Sequence, residues 1–342
     1  MTSREFRDRL STPFRQKESD GMSTKKVLIT DHPWPGIEIE ERLLNPHGIE
    51  IVDAPNGEEG TLAELAKDVV AIATCWAKVT PKVIEAATNC QIVCRLGIGL
   101  DNIAIPTATS KGMLVTNIPD YCVEEVADHA LGLYLGLTRN IAFYHHRSKQ
   151  GEYNLKAGPT MYRLRGRTLG LLGFGRIGQE LYTRAKACGL NVIASTPSGN
   201  DYGTGCKMVS FEELIETSDA ISVHAPLTSE NYHVLNRDAL AKTKRGVVII
   251  NTSRGALIDT AALWEAIQSG QVSGAGLDVF EPEPPDLNDP IYRDERVIVT
   301  PHAAFVSVES LVEMRERVAQ QILDALNGKT PENVRNPDVL KK

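Results

Sequence analysis

The sequence predicts an α/β fold of two doubly wound parallel sheets, and three observations carry that prediction. Short runs rich in β-branched residues alternate with stretches of helical spacing, in two separate series at residues 26–116 and 168–300. One strand of the second series runs directly into a glycine pattern that opens a helix. The length, 342 residues, exceeds one ordinary domain and suits two.

From the N-terminus, residues 1–24 are charged and lack an apolar centre, so they fit no secretory signal. Glu5, Asp8, Glu18 and Asp20 argue against a transit peptide, and the segment reads as a flexible tail. KVLIT at 26–30 is the first strand; runs at 49–53, 69–74, 92–96 and 114–116 follow. Pro81 opens a helix capped by Thr80. Residues 123–147 read as one long helix, apolar nearly all round at Val126, Ala130, Leu131, Leu133, Tyr134, Leu135, Leu137 and Ile141. Asp128, His129 and Arg139 exclude a membrane reading. Such a helix is either wholly core or packs partly on a second subunit, and the all-round pattern favours the second.

Residues 151–166 contain Gly and Pro without a period and form a loop. The second series then places strands at 168–173, 191–195, 220–225, 247–252, 274–279 and 297–300. Ser210 to Glu213 spells a capping box. Asp259 and Thr260 start a helix that stops at Gly270. A last helix, 306–326, lies beyond this series.

Composition narrows the function. Hydrophobic residues at 42% and charged residues at 24% are those of a globular protein. A net charge of −7 supplies no basic excess for phosphates, which argues against a nucleic-acid partner. Every long apolar window is broken by charges, so no membrane span is expected. Cys75, Cys90, Cys94, Cys122, Cys188 and Cys206 form no metal-binding spacing, so no metal is expected, and their sparse use fits a reducing cytoplasm.

The glycine pattern is Gly173–Phe174–Gly175–Arg176–Ile177–Gly178, between a strand and a helix. In that frame Gly173 permits the tight turn, Gly175 lets backbone approach a pyrophosphate, and Gly178 lets the helix pack closely on the sheet. The helix N-terminus then faces the phosphates with free N–H groups. An acid that binds the ribose is expected about 20 residues on, but the second strand ends Ser195–Thr196–Pro197–Ser198. Neither an acid nor an arginine stands there, and Asp201 and Lys207 are the nearest charges, so NAD and NADP both stay open.

Three later strand ends carry NTSRG (251–255), LDVFEPEP (277–284) and TPHAA (300–304). Carboxyl ends of parallel strands face the ligand crevice, so Arg254, Glu283 and His302 are expected to converge. Arginine offers a planar fork for a carboxylate, histidine moves a proton, and a carboxylate beside it favours the charged imidazole. Singly each residue reads as structural; together, behind one dinucleotide unit, they read as a redox site.

These motifs, with RLGIGLDNI (95–103) and NIPDYCVEEVADHAL (117–131), resemble the D-isomer-specific 2-hydroxyacid dehydrogenases over residues 25–327. The second motif is most similar to the C-terminal-binding-protein branch and its bacterial relatives. The resemblance implies a flavodoxin-like substrate domain (25–120 and 306–330), an inserted Rossmann nucleotide domain (121–305) and a C-terminal tail (331–342), with the active site between the domains. It implies a homodimer joined through the nucleotide domain. It assigns Arg254 to substrate, His302 to acid/base work and Glu283 as partner. Leu96, Gly97, Ile98 and Gly99 would offer N–H groups to the substrate carboxylate. Ile98, His224, Ala225, Pro226, Thr252, Ser253, Asp278 and Ala304 would line the cofactor. Trp76, Lys78 and Phe305 would set substrate size, with Lys78 meeting a second acidic group. Three positions depart from the family: Thr196 replaces the ribose acid, Phe305 stands where the corepressor branch has Trp, and Asn231 replaces a frequent Thr. The expected function is hydride transfer between NAD (NADP not excluded) and a 2-oxoacid or D-2-hydroxyacid. The alternative is a nucleotide-sensing binding protein of the corepressor kind, and the intact Arg–Glu–His set favours the enzyme.

Overall fold

The computed structural model describes residues 25–341; the expected tail at 1–24 lies outside the described residues. The first series builds β1 (Lys25–Ile29), α1 (Glu38–Leu44), β2 (Ile49–Asp53), α2 (Glu59–Leu65), β3 (Ala71–Thr74), α3 (Pro81–Ala86), β4 (Ile92–Arg95), α4 (Ile105–Ser110) and β5 (Leu114–Thr116). Helices α5 (Val123–Thr138) and α6 (Ile141–Lys149) follow. The second series is β6 (Thr168–Leu172), α7 (Arg176–Ala187), β7 (Asn191–Ser195), β8 (Lys207–Met208), α8 (Phe211–Thr217), β9 (Ala220–Val223), α9 (Arg237–Lys242), β10 (Val247–Asn251), α10 (Thr260–Gln268), β11 (Val272–Leu277), α11 (Pro290–Arg293) and β12 (Val297–Val299). The long helix α12 (Val308–Leu326) closes the chain's regular structure.

Both sheets are parallel throughout. The first has strand order β2-β1-β3-β4-β5, the flavodoxin-like order. The second runs β12-β11-β10-β9-β6-β7-β8, the Rossmann order with one further strand, and it reverses between β6 and β9. Alternation along each strand fills both faces. In β1, Val27 and Ile29 face Met314, Val318 and Ile322 of α12, while Leu28 faces Leu62, Val83 and Ile84 of α2 and α3. In β6, Leu171 packs with α5 and α7, while Leu172 packs with α8 and α10. The last helix thus covers the first sheet, some 200 residues back in sequence. Gln321 accepts from Thr116 Oγ1 at 2.6 Å, and the buried Arg315 pairs with the buried Glu40.

Three expectations need correction, and one short strand goes unread in the sequence. The long helix at 123–147 is two helices, because Asn140 takes a left-handed conformation at φ 51° and its side chain donates to Pro159 O at 2.8 Å. Asparagine tolerates that region better than other non-glycine residues, so it turns the chain where an apolar pattern alone continues. The two-residue β8 carries no readable period. Ser210 caps α8 through Glu213 N, but Glu213 turns its carboxylate to Lys207 at 2.6 Å; the reciprocal box forms instead at Ser307 and Ser310. Finally, residues 331–341, expected as a C-terminal tail, are docked on the first sheet. Val334 bridges Thr116 antiparallel, and the buried Asn336 accepts from Val115 N and donates to Met113 O, both at 2.8 Å.

No helix among the described residues is long and apolar enough to cross a membrane. Burial pushes the thiols of Cys75, Cys90, Cys94 and Cys122 up to about 12, which leaves them poor nucleophiles.

Candidate active site

The carboxyl ends of β4 and β5 face those of β10, β11 and β12 across a cleft of about 750 Å³. From the first sheet come Leu96, Gly97, Ile98 and Gly99. Asn117 Nδ2 holds this turn by donating to Ile98 O at 2.6 Å, and Arg335 from the docked C-terminal segment donates to Asn117 Oδ1 at 2.7 Å. A side chain at Gly99 would overlap the Arg254 guanidinium, so glycine there permits the approach of the two sheets. Trp76 also lines the cleft, 41% exposed, with its loop held by Asp31, which accepts from Cys75 N at 3.0 Å and Trp76 N at 2.6 Å.

From the second sheet come the polar strand ends. Buried Asn251 braces the turn after β10: its Oδ1 accepts from Ser253 N at 3.0 Å and its Nδ2 donates to Arg254 O at 2.8 Å. Ser253 Oγ donates to Ala225 O at 2.5 Å, tying that turn to the end of β9. Arg254 Nε and Nη2 both reach Asp101 Oδ1 at 3.1 Å, across the cleft. Burial raises the Asp101 carboxyl, but the Arg254 guanidinium, a backbone hydrogen bond and the charge of Arg95 together hold the group below its ordinary value.

Asp278, fully buried, accepts from Thr300 Oγ1 at 2.6 Å, Ala303 N at 2.8 Å and Ala304 N at 3.0 Å. This fixes the turn that carries His302, whose φ of 52° is unusual for a residue with a side chain. His302 Nδ1 shares a 2.6 Å hydrogen bond with Glu283 Oε1. A carboxylate accepts, so Nδ1 carries the hydrogen and Nε2 is left for the cleft. Around the imidazole stand Trp76 and Phe305, with ring centroids 6.0 and 6.1 Å away, and Tyr121 lies edge-on to Phe305. The other cleft histidine, His224, is partly buried; desolvation pushes it down to about 4, so it is neutral near pH 7 and bonds Ser222 Oγ at 2.8 Å.

The glycine turn has the shape of a nucleotide cradle. Gly173 sits at φ 101°, and a Cβ there would fall 2.5 Å from Ala225 N; one at Gly178 would fall 2.8 Å from Gly173 O. Gly175 caps α7 with nothing within 4 Å of its missing side chain, and the first turn of α7 carries no acid. Gly175, Arg176, Ile177 and Gly178 line the cleft, with Pro226, Thr252, Ser253, Asp278 and Ala304. Thr252 Oγ1 is buried and without a partner, an orphan that a ligand hydroxyl or amide would satisfy. These residues fit a dinucleotide, with open helix N–H groups for the pyrophosphate and Thr252 beside the reacting end.

Several residues named from the sequence lie outside the cleft lining. Lys78 is exposed and does not line the cleft, whose cations are Arg95, Arg176, Arg254 and Arg335. The Phe174 side chain is buried against Tyr182 in the core. Thr196 follows β7 outside the cleft lining, and its hydroxyl accepts from Gly199 N at 3.2 Å. Asp201 is engaged by Gly203 N and Gly205 N in its own loop. Asn231 bonds Pro226 O and Thr228 N, holding the turn after β9. Asp101, Asn251 and Arg95 carry no assignment from the sequence, although Asp101 and Arg95 lie inside RLGIGLDNI.

The model of the D-isomer specific 2-hydroxyacid dehydrogenase NAD-binding domain matches residues 131–304. A glyoxylate reductase from Thermococcus litoralis is 37% identical over 328 residues, 92% of this chain and 98% of that protein. A hydroxypyruvate reductase from Thermotoga maritima is 38% identical over 292 residues, 84% of this chain and 94% of that protein. The crystal structure of D-lactate dehydrogenase from Aquifex aeolicus, complexed with NAD and lactic acid, superimposes with a TM-score of 0.80 at 28% identity, covering 93% of this chain and 98% of that one. Cradle, strand-end triad and full-length similarity agree: the chain belongs to the D-isomer specific 2-hydroxyacid dehydrogenase family, oxidoreductases that work with a nicotinamide cofactor.

Proposed function

We propose that the protein reduces a short 2-oxoacid to the D-2-hydroxyacid, with Arg254, Glu283 and His302 as its working residues. The observation that carries this is the placement of the Glu283–His302 pair and the Arg254 guanidinium on one cleft with the orphaned Thr252 hydroxyl and the open N-terminus of α7. When bound, the reduced nicotinamide supplies the hydride. Arg254 exchanges Asp101 for the substrate carboxylate, and the turn at 96–99 offers it backbone N–H groups. His302 Nε2 gives its proton to the carbonyl oxygen, so a C=O becomes a CH–OH, and Glu283 stabilises the charged imidazole beforehand. A decayed triad would have favoured a nucleotide sensor; the set here is complete.

Trp76, Phe305 and Tyr121 form an aromatic wall on the far side of His302, which favours a small substrate. With the names of the relatives, this points to glyoxylate or hydroxypyruvate. NAD is the preferred cofactor in this reading, since no cation stands at the end of β7. The domain division follows the two sheets: 25–120 with 306–330 for substrate, and 121–305 for nucleotide. In this reading the chain lies near the C-terminal-binding-protein branch, which the similarity of residues 117–131 to that branch supports. A homodimer accords with exposed Ile141, Tyr153, Leu155 and Tyr162 on one stretch of chain, and a cytoplasmic location accords with the six free cysteines. Oxidation of NADH and of NADPH should be followed against a panel of 2-oxoacids. Turnover of glyoxylate or hydroxypyruvate with NADH is expected, and absence of turnover on every oxoacid would overturn the reading.

A further inference from the structure

We infer that His129, on α5, is a positioning residue for His302, acting through Thr300 and Asp278. The inference rests on the reading of His302 as proton donor. It begins with packing. A Cβ at Gly276 in β11 would fall 2.9 Å from Leu133 Cβ, and one at Gly136 would fall 3.0 Å from Ile298 Cδ1 in β12. Glycine at these places lets α5 lie directly on β11 and β12. Gly276 and Ile298 are paired in register. Two residues further along each strand, on the same face, come Asp278 and Thr300. One turn before Leu133 on the helix comes His129. The close seating therefore sets the imidazole over these two strand ends.

The hydrogen bonds have one consistent direction. Thr300 Oγ1 has a single hydrogen, and at 2.6 Å from Asp278 Oδ1 it donates there. The same oxygen lies 2.9 Å from His129 Nε2, so it accepts from an Nε2–H. His129 Nε2 is also 3.6 Å from Asp278 Oδ1. The same Oδ1 accepts from Ala303 N, and Oδ2 accepts from Ala304 N. The backbone N–H of His302 donates to Asp278 O at 2.8 Å and to Thr300 O at 3.0 Å. The left-handed backbone of His302 is thus held on both sides by a carboxylate whose orientation His129 and Thr300 fix. His129 touches no reacting atom, and its effect is on where the His302 imidazole points.

Steady-state kinetics with the best oxoacid test this, with folded sites counted by NADH-binding titration. His129→Leu should lower kcat about tenfold through a small misplacement of the proton donor. The KM for NADH should stay within about twofold, since no cofactor contact is removed. His129→Gln, which keeps an N–H at similar reach, should recover most of the loss. Thr300→Val should match His129→Leu, Thr300→Ser should behave as the parent, and the double variant should be no worse than either single. A merely structural role would lower the folded fraction and the Tm while leaving kcat per folded site unchanged. The inference is overturned by a His129→Leu kcat within twofold of the parent, by no recovery in His129→Gln, or by losses that multiply in the double variant. If His129→Leu does not fold, the Thr300→Val and Thr300→Ser pair decides alone. His302→Ala separates the two readings. Full turnover there sinks the proton-donor assignment; loss there with no effect at His129 sinks only the present inference.

Discussion

The two walls of the cleft are built to different standards. On the second-sheet side, Asp278 is fully buried with three protein donors, and the turn it anchors places His302 against Glu283. On the first-sheet side, Trp76 is 41% exposed, and the Asp101 side chain that faces Arg254 is 52% exposed. Groups that move a proton tolerate little displacement, and the strand ends of a packed sheet supply that precision. Groups that admit different substrates sit on looser turns. The contrast orders the expected effects: large where the rigid wall is altered, small across the cleft.

His302→Ala should have the largest effect. It removes the proton donor from the rigid wall, and kcat should fall about 10²–10⁴-fold on the best oxoacid, measured as NADH oxidation. A variant at parental kcat would mean that the rigid wall serves another purpose. Arg254→Lys comes next. Lysine keeps the charge but loses the planar fork, and kcat/KM should drop about a hundredfold, as when one preorganised donor to a developing oxyanion is removed. Near-native kinetics would make Arg254 a structural residue whose partner is Asp101.

The unequal walls also explain what the sequence made legible. Strand ends carrying NTSRG, LDVFEPEP and TPHAA are readable because a parallel sheet sends all its carboxyl ends to one side, so local pattern implies spatial convergence. The glycine turn is readable for the same reason. By contrast, Asn336 reaches Val115, 221 residues away, and no periodic signal encodes that contact. Asp101 lies inside RLGIGLDNI, but its partner Arg254 is 153 residues on, and a loop acid otherwise reads as solvated. Lys78 follows Trp76 by two residues but lies exposed outside the cleft lining, because side chains of an irregular loop share no common direction. Asn140 breaks a helix that hydrophobic spacing alone continues, since the left-handed turn depends on a bond to Pro159. Packing and long-range pairing decide these features.

A smaller effect is expected at the ribose end. Thr196→Asp adds an acceptor for ribose hydroxyls and a charge against a 2′-phosphate. The preference for NADH over NADPH, taken as a ratio of kcat/KM values, should rise about tenfold, or about 1.4 kcal/mol. A parent that already prefers NADPH strongly would contradict the reading of a pocket with neither acid nor cation.

Asp101→Asn should have the smallest effect and is the sharpest test of the looser wall. Asp101 occupies the same guanidinium that the substrate carboxylate needs, so the two carboxylates compete. Because Arg254, a backbone hydrogen bond and Arg95 together outweigh burial and hold the Asp101 carboxyl below its ordinary value of 3.8, the acid is ionised throughout the neutral range, and its pairing is lost only as pH falls through that lowered value. Half-exposed ion pairs are worth roughly 0–1 kcal/mol, which corresponds to at most about fivefold in an equilibrium. Asp101→Asn should therefore lower the KM for the oxoacid two- to fivefold, by about that order, and the gap should narrow at high salt. The kcat should change less than KM, since the proton donor stands on the opposite wall. A large fall in kcat would mean that Asp101 orients Arg254 for the chemical step, and the first-sheet side would then share the precision assigned here to the second.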